Sequence, residues 1–117
     1  MNKASEIITA IQTHYDISLA RLKSKSRVRN DSTVEARQML SYLLYCNTEA
    51  TLVTIGKFLN RDHSTIVHSV QTIEYYTAAT YYTPEKESYE TIKRLLPFEA
   101  RTYKQPVKSC QLLLEEF

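Results

Sequence analysis

TLVTIGKFLNRDHSTIVHSVQTI, residues 51–73, holds two helical patterns separated by a polar break. In the first, Thr51 is placed to cap, and Leu52, Ile55, Phe58 and Leu59 fall on one side. Asn60 and Arg61 make a short turn. The second pattern starts at about Asp62 and continues into residues 75–80, with Ile66, Val67, Val70, Ile73 and one of Tyr75 or Tyr76 as its inward stripe. A short helix, a tight turn and a longer helix outline a helix-turn-helix. The second helix, the longest expected in the chain, opens on Arg61-Asp62-His63-Ser64-Thr65, and its apolar stripe begins only afterwards. The first turn of a recognition helix enters the major groove, so its side chains must suit base edges. Arg can pair with guanine, Asp can accept from the cytosine amino group, the Thr methyl can touch the thymine methyl, and His63 can donate or accept. Asp, Ser and Thr are also ordinary caps at a helix start. The residue pattern alone leaves both readings open.

Outward from this stretch the chain reads as more helices. Residues 3–15 carry Ile7, Ile8, Ile11 and Tyr15 as one stripe. Asp16-Ile17-Ser18 breaks the chain, and Ser18 can cap a short helix with Leu19 and Leu22 on one side. Residues 24–31 read as an exposed loop. Ser32-Thr33-Val34-Glu35 has the form of a capping box, starting a helix to about Tyr45 with Val34, Met39, Leu40, Leu43 and Leu44 inward. Thr83-Pro84-Glu85 is a further start signal for a helix reaching Leu96, which Pro97 stops or kinks. A last amphipathic piece over residues 107–116 presents Val107, Cys110, Leu113 and Leu114.

Composition agrees. The 117 residues suit one compact unit, 43% are hydrophobic, and there are one Gly and three Pro, too few for the many tight turns of an all-β chain. The fold expected is all-α, a bundle of about six to seven helices containing a helix-turn-helix. The net charge of +2 is modest, but residues 21–29, RLKSKSRVR, hold five cations and no acid. Cys46 and Cys110 lack metal or redox spacing, and Cys46 reads as a buried apolar residue in a reduced, cytoplasmic setting. No signal peptide or membrane-spanning run is visible, so no membrane partner is expected. The nine tyrosines include Tyr42, Tyr45, Tyr75, Tyr76, Tyr81 and Tyr82 in pairs or near-pairs, read as half-buried packing residues.

RDHSTIVHSVQTIE, residues 61–74, resembles the signature of the C-terminal DNA-binding domain of the bacterial replication initiator DnaA. IITAIQTHYDISLARLKSKSR, residues 7–27, resembles that domain's first two helices and basic loop. Ala36-Arg37-Gln38-Met39 resembles the R-Q-M of its third helix, and Thr51-Leu52 with Ile55-Gly56 resembles its S-L-P-E-I-G stretch. The likeness covers about residues 5–76. This chain departs from the family in a turn one residue shorter before Arg61, a basic loop about two residues longer, and Ser26 where a second Arg is usual. These departures bear on the target sequence more than on the fold.

The resemblance implies double-stranded DNA as partner, at sites like the short asymmetric DnaA box. It places Asp62, His63 and Ser64 at base-reading positions and Thr65 against a thymine or phosphate. It sends Arg27 into the adjacent minor groove, where A·T-rich sequence focuses negative potential, with Lys25 and Arg29 beside it. Arg37, Gln38 and the backbone amides near Thr51 and Leu52 match phosphate-facing positions. Arg61 either contacts DNA or braces the turn by a salt bridge, and His68 is a helix-surface or phosphate contact. His63 and His68, five residues apart, lack the spacing for metal ligation on a helix. With one Gly the chain cannot contain a G-x-x-x-x-G-K-[ST] loop, so no nucleotide, metal or other cofactor is expected. Consecutive Asp62, His63 and Ser64 splay about 100° apart on a helix and cannot form a catalytic relay, so no enzyme is expected.

Two functional classes follow. One is a stand-alone box-reading protein, with residues 1–80 as the DNA-binding domain and residues 81–117 as a helical extension that wraps it or recruits a protein partner. It would act in replication initiation or its regulation, of host, phage or mobile element, or as a transcriptional regulator. The other is a protein-interaction module that kept the fold and lost the DNA surface.

Overall fold

The computed structural model describes residues 2–24 and 31–101. Within them the chain forms six helices and no strand: α1 Lys3–Tyr15, α2 Leu19–Lys23, α3 Asp31–Asn47, α4 Leu52–Leu59, α5 His63–Ala78 and α6 Pro84–Leu95. The all-α expectation is met, and α4, its turn and α5 are the helix-turn-helix foreseen.

Short polar side chains set most of the starts. Asn2, Ser18, Thr51, Asp62 and Thr83 hold extended backbone, and each accepts from an amide in the first turn of the helix it precedes. Pro84 follows Thr83 at the first helical position, where its missing N–H costs nothing. α1 stops at Asp16, left-handed at φ 52°, and Ile17 N–H then returns to Gln12 O at 3.2 Å.

α3 is the central rod. Ala36, Met39, Leu40, Ser41, Tyr42, Leu43 and Leu44 are all buried, so it is enclosed on nearly every side, mainly by α5 and α1. Ile7 and Ile11 of α1, Leu22 of α2, Leu52, Ile55 and Leu59 of α4, and Ile66, Val70 and Ile73 of α5 complete one core. Each such aliphatic side chain contributes about 1.5–3 kcal/mol by leaving water. α6 belongs to the same core through Tyr89 and Ile92, with Tyr89 edge-on to Tyr42 at 5.9 Å between ring centroids.

Several local expectations are corrected. α3 starts at Asp31, so Ser32 and Glu35 lie inside the helix and not at its cap. Glu35 instead accepts from Tyr15 Oη at 2.5 Å and Ser88 Oγ at 2.9 Å, joining α1, α3 and α6. Val34, expected to face inward, is 44% exposed. At 17 residues α3 is longer than α5 at 16, so the recognition helix is not the longest. Cys46, Phe58 and Val67 are half-buried at the rim of the core. Tyr42 is buried, but Tyr75, Tyr81 and Tyr82 are largely exposed around the end of α5, where the chain turns toward α6. The expected helix over residues 107–116 lies outside the described residues.

Candidate nucleic-acid interface

The recognition element is built from three residues of turn. Asn60 takes the left-handed conformation, φ 61° and ψ 44°, which Asn tolerates better than most residues. Arg61 N–H returns to Gly56 O at 2.8 Å, closing α4. Asp62 then caps α5, its Oδ2 accepting from Ser64 N at 3.1 Å and from the Ser64 hydroxyl. The crossing of α4 and α5 is so close that a Cβ on Gly56 would stand 2.7 Å from Arg61 O. The one glycine of the chain is therefore there for lack of a side chain, not for a special φ.

Beyond the cap, His63, Ser64 and Thr65 are exposed on the first turn of α5 and His68 on the second. Ile66, Ser69, Val70 and Ile73 hold the opposite side against the core, and Ser69 Oγ donates back to Thr65 O at 3.0 Å. The helix is thus pinned along one face, with its opening turn in solvent. The Ser64 hydroxyl and amide, aided by the nearby His63, hold the Asp62 carboxyl below the usual carboxylate range. Thr72 Oγ1 donates to His68 O at 2.7 Å, a local helix bond that leaves the His68 ring at the surface. Among the described residues no group of three or more His, Cys, Asp or Glu could hold a metal.

The cations have more specific positions than the sequence suggests. Arg37 Nε donates to Leu22 O at 2.9 Å, at the end of α2. Its pKa is lowered, first by burial and then by the charge of Arg61. Arg61 donates from Nη1 to Leu59 O at 3.2 Å and Asn60 O at 3.1 Å, and from Nη2 to Ser24 O at 2.7 Å. It braces the turn through carbonyls, not through a carboxylate. Lys23 Nζ lies 4.8 Å from the Phe58 ring centroid. Arg21 Nε donates to Thr33 Oγ1 at 3.4 Å. The one ion pair among the described residues is Lys93–Glu90 on α6, so Arg21, Lys23, Arg37, Lys57 and Arg61 have no carboxylate partner there. Cations without a carboxylate partner among the described residues, on α2, α3 and α4, suit a polyanion.

Thr51 is exposed at the start of α4, its Oγ1 accepting from Thr54 N at 3.1 Å. Leu52 is buried, so it can offer only its backbone N–H, one of the amides a helix start leaves without an internal partner. Gln38 is half-buried next to Arg37 on α3. Lys25, Arg27 and Arg29 lie outside the described residues. The roles of Lys23, Ser24 and Phe58 had no signal in the sequence, because each depends on a contact made across the chain.

A family model described as "Bacterial dnaA protein helix-turn-helix" matches residues 4–73. Curated relatives named "Chromosomal replication initiator protein DnaA" include that of Bacteroides fragilis, 36% identical over 70 residues, 59% of this chain and 14% of the relative. That of Herpetosiphon aurantiacus is 38% identical over 71 residues, 60% of this chain and 15% of the relative. That of Brucella abortus is 34% identical over 99 residues, 84% of this chain and 19% of the relative. The chain therefore spans less than a fifth of the length of these relatives.

Proposed function

The chain belongs to the bacterial DnaA helix-turn-helix family, and on that footing we propose that it binds double-stranded DNA sequence-specifically, at sites resembling the DnaA box. The observation that carries this reading is the opening turn of α5: Asp62, His63, Ser64 and Thr65 are all exposed on a helix whose other face is locked in the core. The cations without carboxylate partners around the end of α2 supply the sequence-independent attraction to phosphates.

In this reading His63, Ser64 and Thr65 face base edges, and Asp62 combines capping with acceptance from a base amino group through the oxygen that Ser64 leaves open. Arg37, Gln38, His68 and the amides near Thr51 and Leu52 meet phosphates. Arg27 enters the minor groove, flanked by Lys25 and Arg29. Arg61 stands at the centre of the surface. Residues 1–80 carry recognition, and α6, in the described part of residues 81–117, completes the core. The names of the relatives support a role in replication initiation or its control. In the proposed reading the protein acts without a nucleotide and without catalysis, in the bacterial cytoplasm on the nucleoid. A second reading, a protein-binding module, draws on exposed Tyr75, Tyr81 and Tyr82.

Fluorescence-anisotropy titration of a DnaA-box duplex against a scrambled duplex of equal composition, at several salt concentrations, tests the proposal. Tighter binding to the box, weakening as salt rises, supports it. Equal affinity for both duplexes refutes DnaA-box recognition. No binding at low salt favours the protein-binding module.

A further inference from the structure

The end of α5 and the start of α6 carry a second exposed surface. Tyr75, Tyr81 and Tyr82 are 64%, 56% and 72% exposed. The rings are contiguous: Tyr75 lies edge-on to Tyr76 at 5.4 Å between centroids, and the Tyr75 and Tyr81 side chains are hydrogen-bonded to each other. Tyr82 Oη donates to Glu87 Oε2 at 2.7 Å, which sets a carboxylate beside its ring. Residues 74–90 hold four Glu and one Lys. That Lys86 gives its ammonium to Ala79 O at 2.8 Å, and Glu90 is paired with Lys93, which leaves Glu85 and Glu87 without a cationic partner among the described residues. We propose that Tyr75, Tyr76, Tyr81, Tyr82, Glu85 and Glu87 form a docking surface for a cationic, arginine-bearing segment of a partner protein.

Charge complementarity selects the occupant. Tyrosine rings attract cations through their faces, and a neighbouring carboxylate lets one guanidinium meet both. Arg suits this better than Lys, because its plane lies flat on a ring while its N–H groups reach the carboxylate. Unpaired bases also stack on tyrosine, but Glu85 and Glu87 would repel the phosphates that join them. The surface is held in place by its own turn. Thr83 Oγ1 donates to Tyr76 O at 3.3 Å and accepts from Lys86 N at 3.0 Å, while Lys86 reaches back to Ala79 O. The segment that carries Tyr81 and Tyr82 is thus tied to α5 and to α6, and a preformed surface loses little freedom on binding. The core at this place is made by Ile73, Tyr89 and Ile92, so the exposed rings are not needed to fill it. From Thr65 to Tyr75 the axis of α5 advances about 15 Å, which separates the patch from the opening turn of the same helix. The inference is independent of the DNA-binding reading, since no residue of the patch belongs to that surface.

Amide chemical-shift mapping of the full chain, titrated at low salt with a synthetic peptide of alternating Arg and Gly, tests the proposal. A peptide of alternating Glu and Gly is the control. The Arg peptide is expected to shift residues 75, 76, 81, 82, 85 and 87, and the Glu peptide to shift none of them. Tyr82→Ala should weaken the Arg peptide about threefold, and Tyr82→Phe, which keeps the ring, by less. Glu87→Gln should weaken it about twofold. Tyr82 and Glu87 are exposed, so these variants keep the core intact, and melting curves verify that each is folded at the assay temperature. Unchanged affinity in both Tyr82→Ala and Glu87→Gln would overturn the proposal, as would the absence of any shift with the Arg peptide. Shifts of equal size at the exposed Glu49 and Glu99 would reduce the binding to unspecific attraction and overturn it too. Two further results would give the patch to another occupant and so refute the proposal: the same shifts with oligothymidylate in place of the peptide, or shifts that grow with protein concentration alone, the mark of a second copy.

Discussion

Replacing Gly56 by Ala tests the crossing that sets the recognition helix on its support. A new Cβ would stand 2.7 Å from Arg61 O, whereas ordinary contact begins near 3.4 Å, a shortfall of about 0.7 Å. The neighbour is backbone and cannot rotate away. Ile66 Cγ1 at 3.5 Å and Asp62 C at 3.6 Å already fill the flanks, so the turn itself must move. Overpacking of this kind costs about 1–3 kcal/mol. Moving the turn also weakens the Arg61 N–H bond to Gly56 O, worth about 1 kcal/mol. Against this, Ala gains about 1 kcal/mol over Gly inside a helix. The net expectation is destabilisation by about 2 kcal/mol, or roughly 10 °C in Tm for a unit of this size. Thermal melting followed by circular dichroism measures it, with Val53→Ala on the exposed side of the same helix as a control expected to change stability by less than about 0.5 kcal/mol. A Gly56→Ala variant as stable as the wild type, or more so, would refute the close crossing of α4 and α5.

Further expectations concern single side chains. Asp62→Asn should leave the neutral-pH melting temperature near the wild-type value, because Asn caps as well as Asp, while changing base preference on selected duplexes; unchanged preference would reduce Asp62 to a cap. The Asp62 pKa is lowered by folding, so its contribution to stability is present above the ordinary carboxylate range and lost as pH falls through the lowered value; that part of the acid dependence should vanish in Asp62→Asn. Tyr15 is the opposite case. Its pKa is raised, chiefly by burial and by the bond to Glu35, so stability is full below about pH 10 and declines as pH rises further. Tyr15→Phe should soften that alkaline decline and cost about 1–2 kcal/mol at neutral pH through the lost bond to Glu35, a figure discounted for partial exposure. His63→Ala should lose about 1–3 kcal/mol of discrimination at one or two base pairs; equal losses on specific and random duplexes would exclude it as a base reader.

What was legible in the sequence was mostly local. Thr51, Ser18 and Thr83-Pro84 announced their helices because capping involves residues only a few positions apart. The stripe Ile66, Val70, Ile73 announced α5 by its spacing. The same local logic failed at Glu35. It has the spacing of a capping box, yet its partners are 20 and 53 residues away, and no periodicity encodes them. Val34 failed for a related reason: a helical stripe shows which face a residue shares, not how far a neighbouring helix extends over it. At the candidate interface the exposed cluster 62–65 was legible as a polar run interrupting apolar spacing. The fork of Arg61 onto Ser24 O was not, because a carbonyl acceptor leaves no trace in residue type. Gly56 was visible as the only glycine, but its reason, a carbonyl standing where a Cβ would need room, appears only in three dimensions.

The central claim is that the opening turn of α5 and the cations around the end of α2 face DNA. Amide chemical-shift mapping of the full chain, titrated with a short duplex selected by the protein, tests it residue by residue. The largest shifts are expected on Asp62, His63, Ser64, Thr65 and His68, on Thr51 and Leu52, and on Arg21, Lys23, Arg37 and Gln38, with α6 little changed. Shifts centred instead on Tyr75, Tyr81, Tyr82 and the start of α6, with the first turn of α5 unmoved, would contradict it.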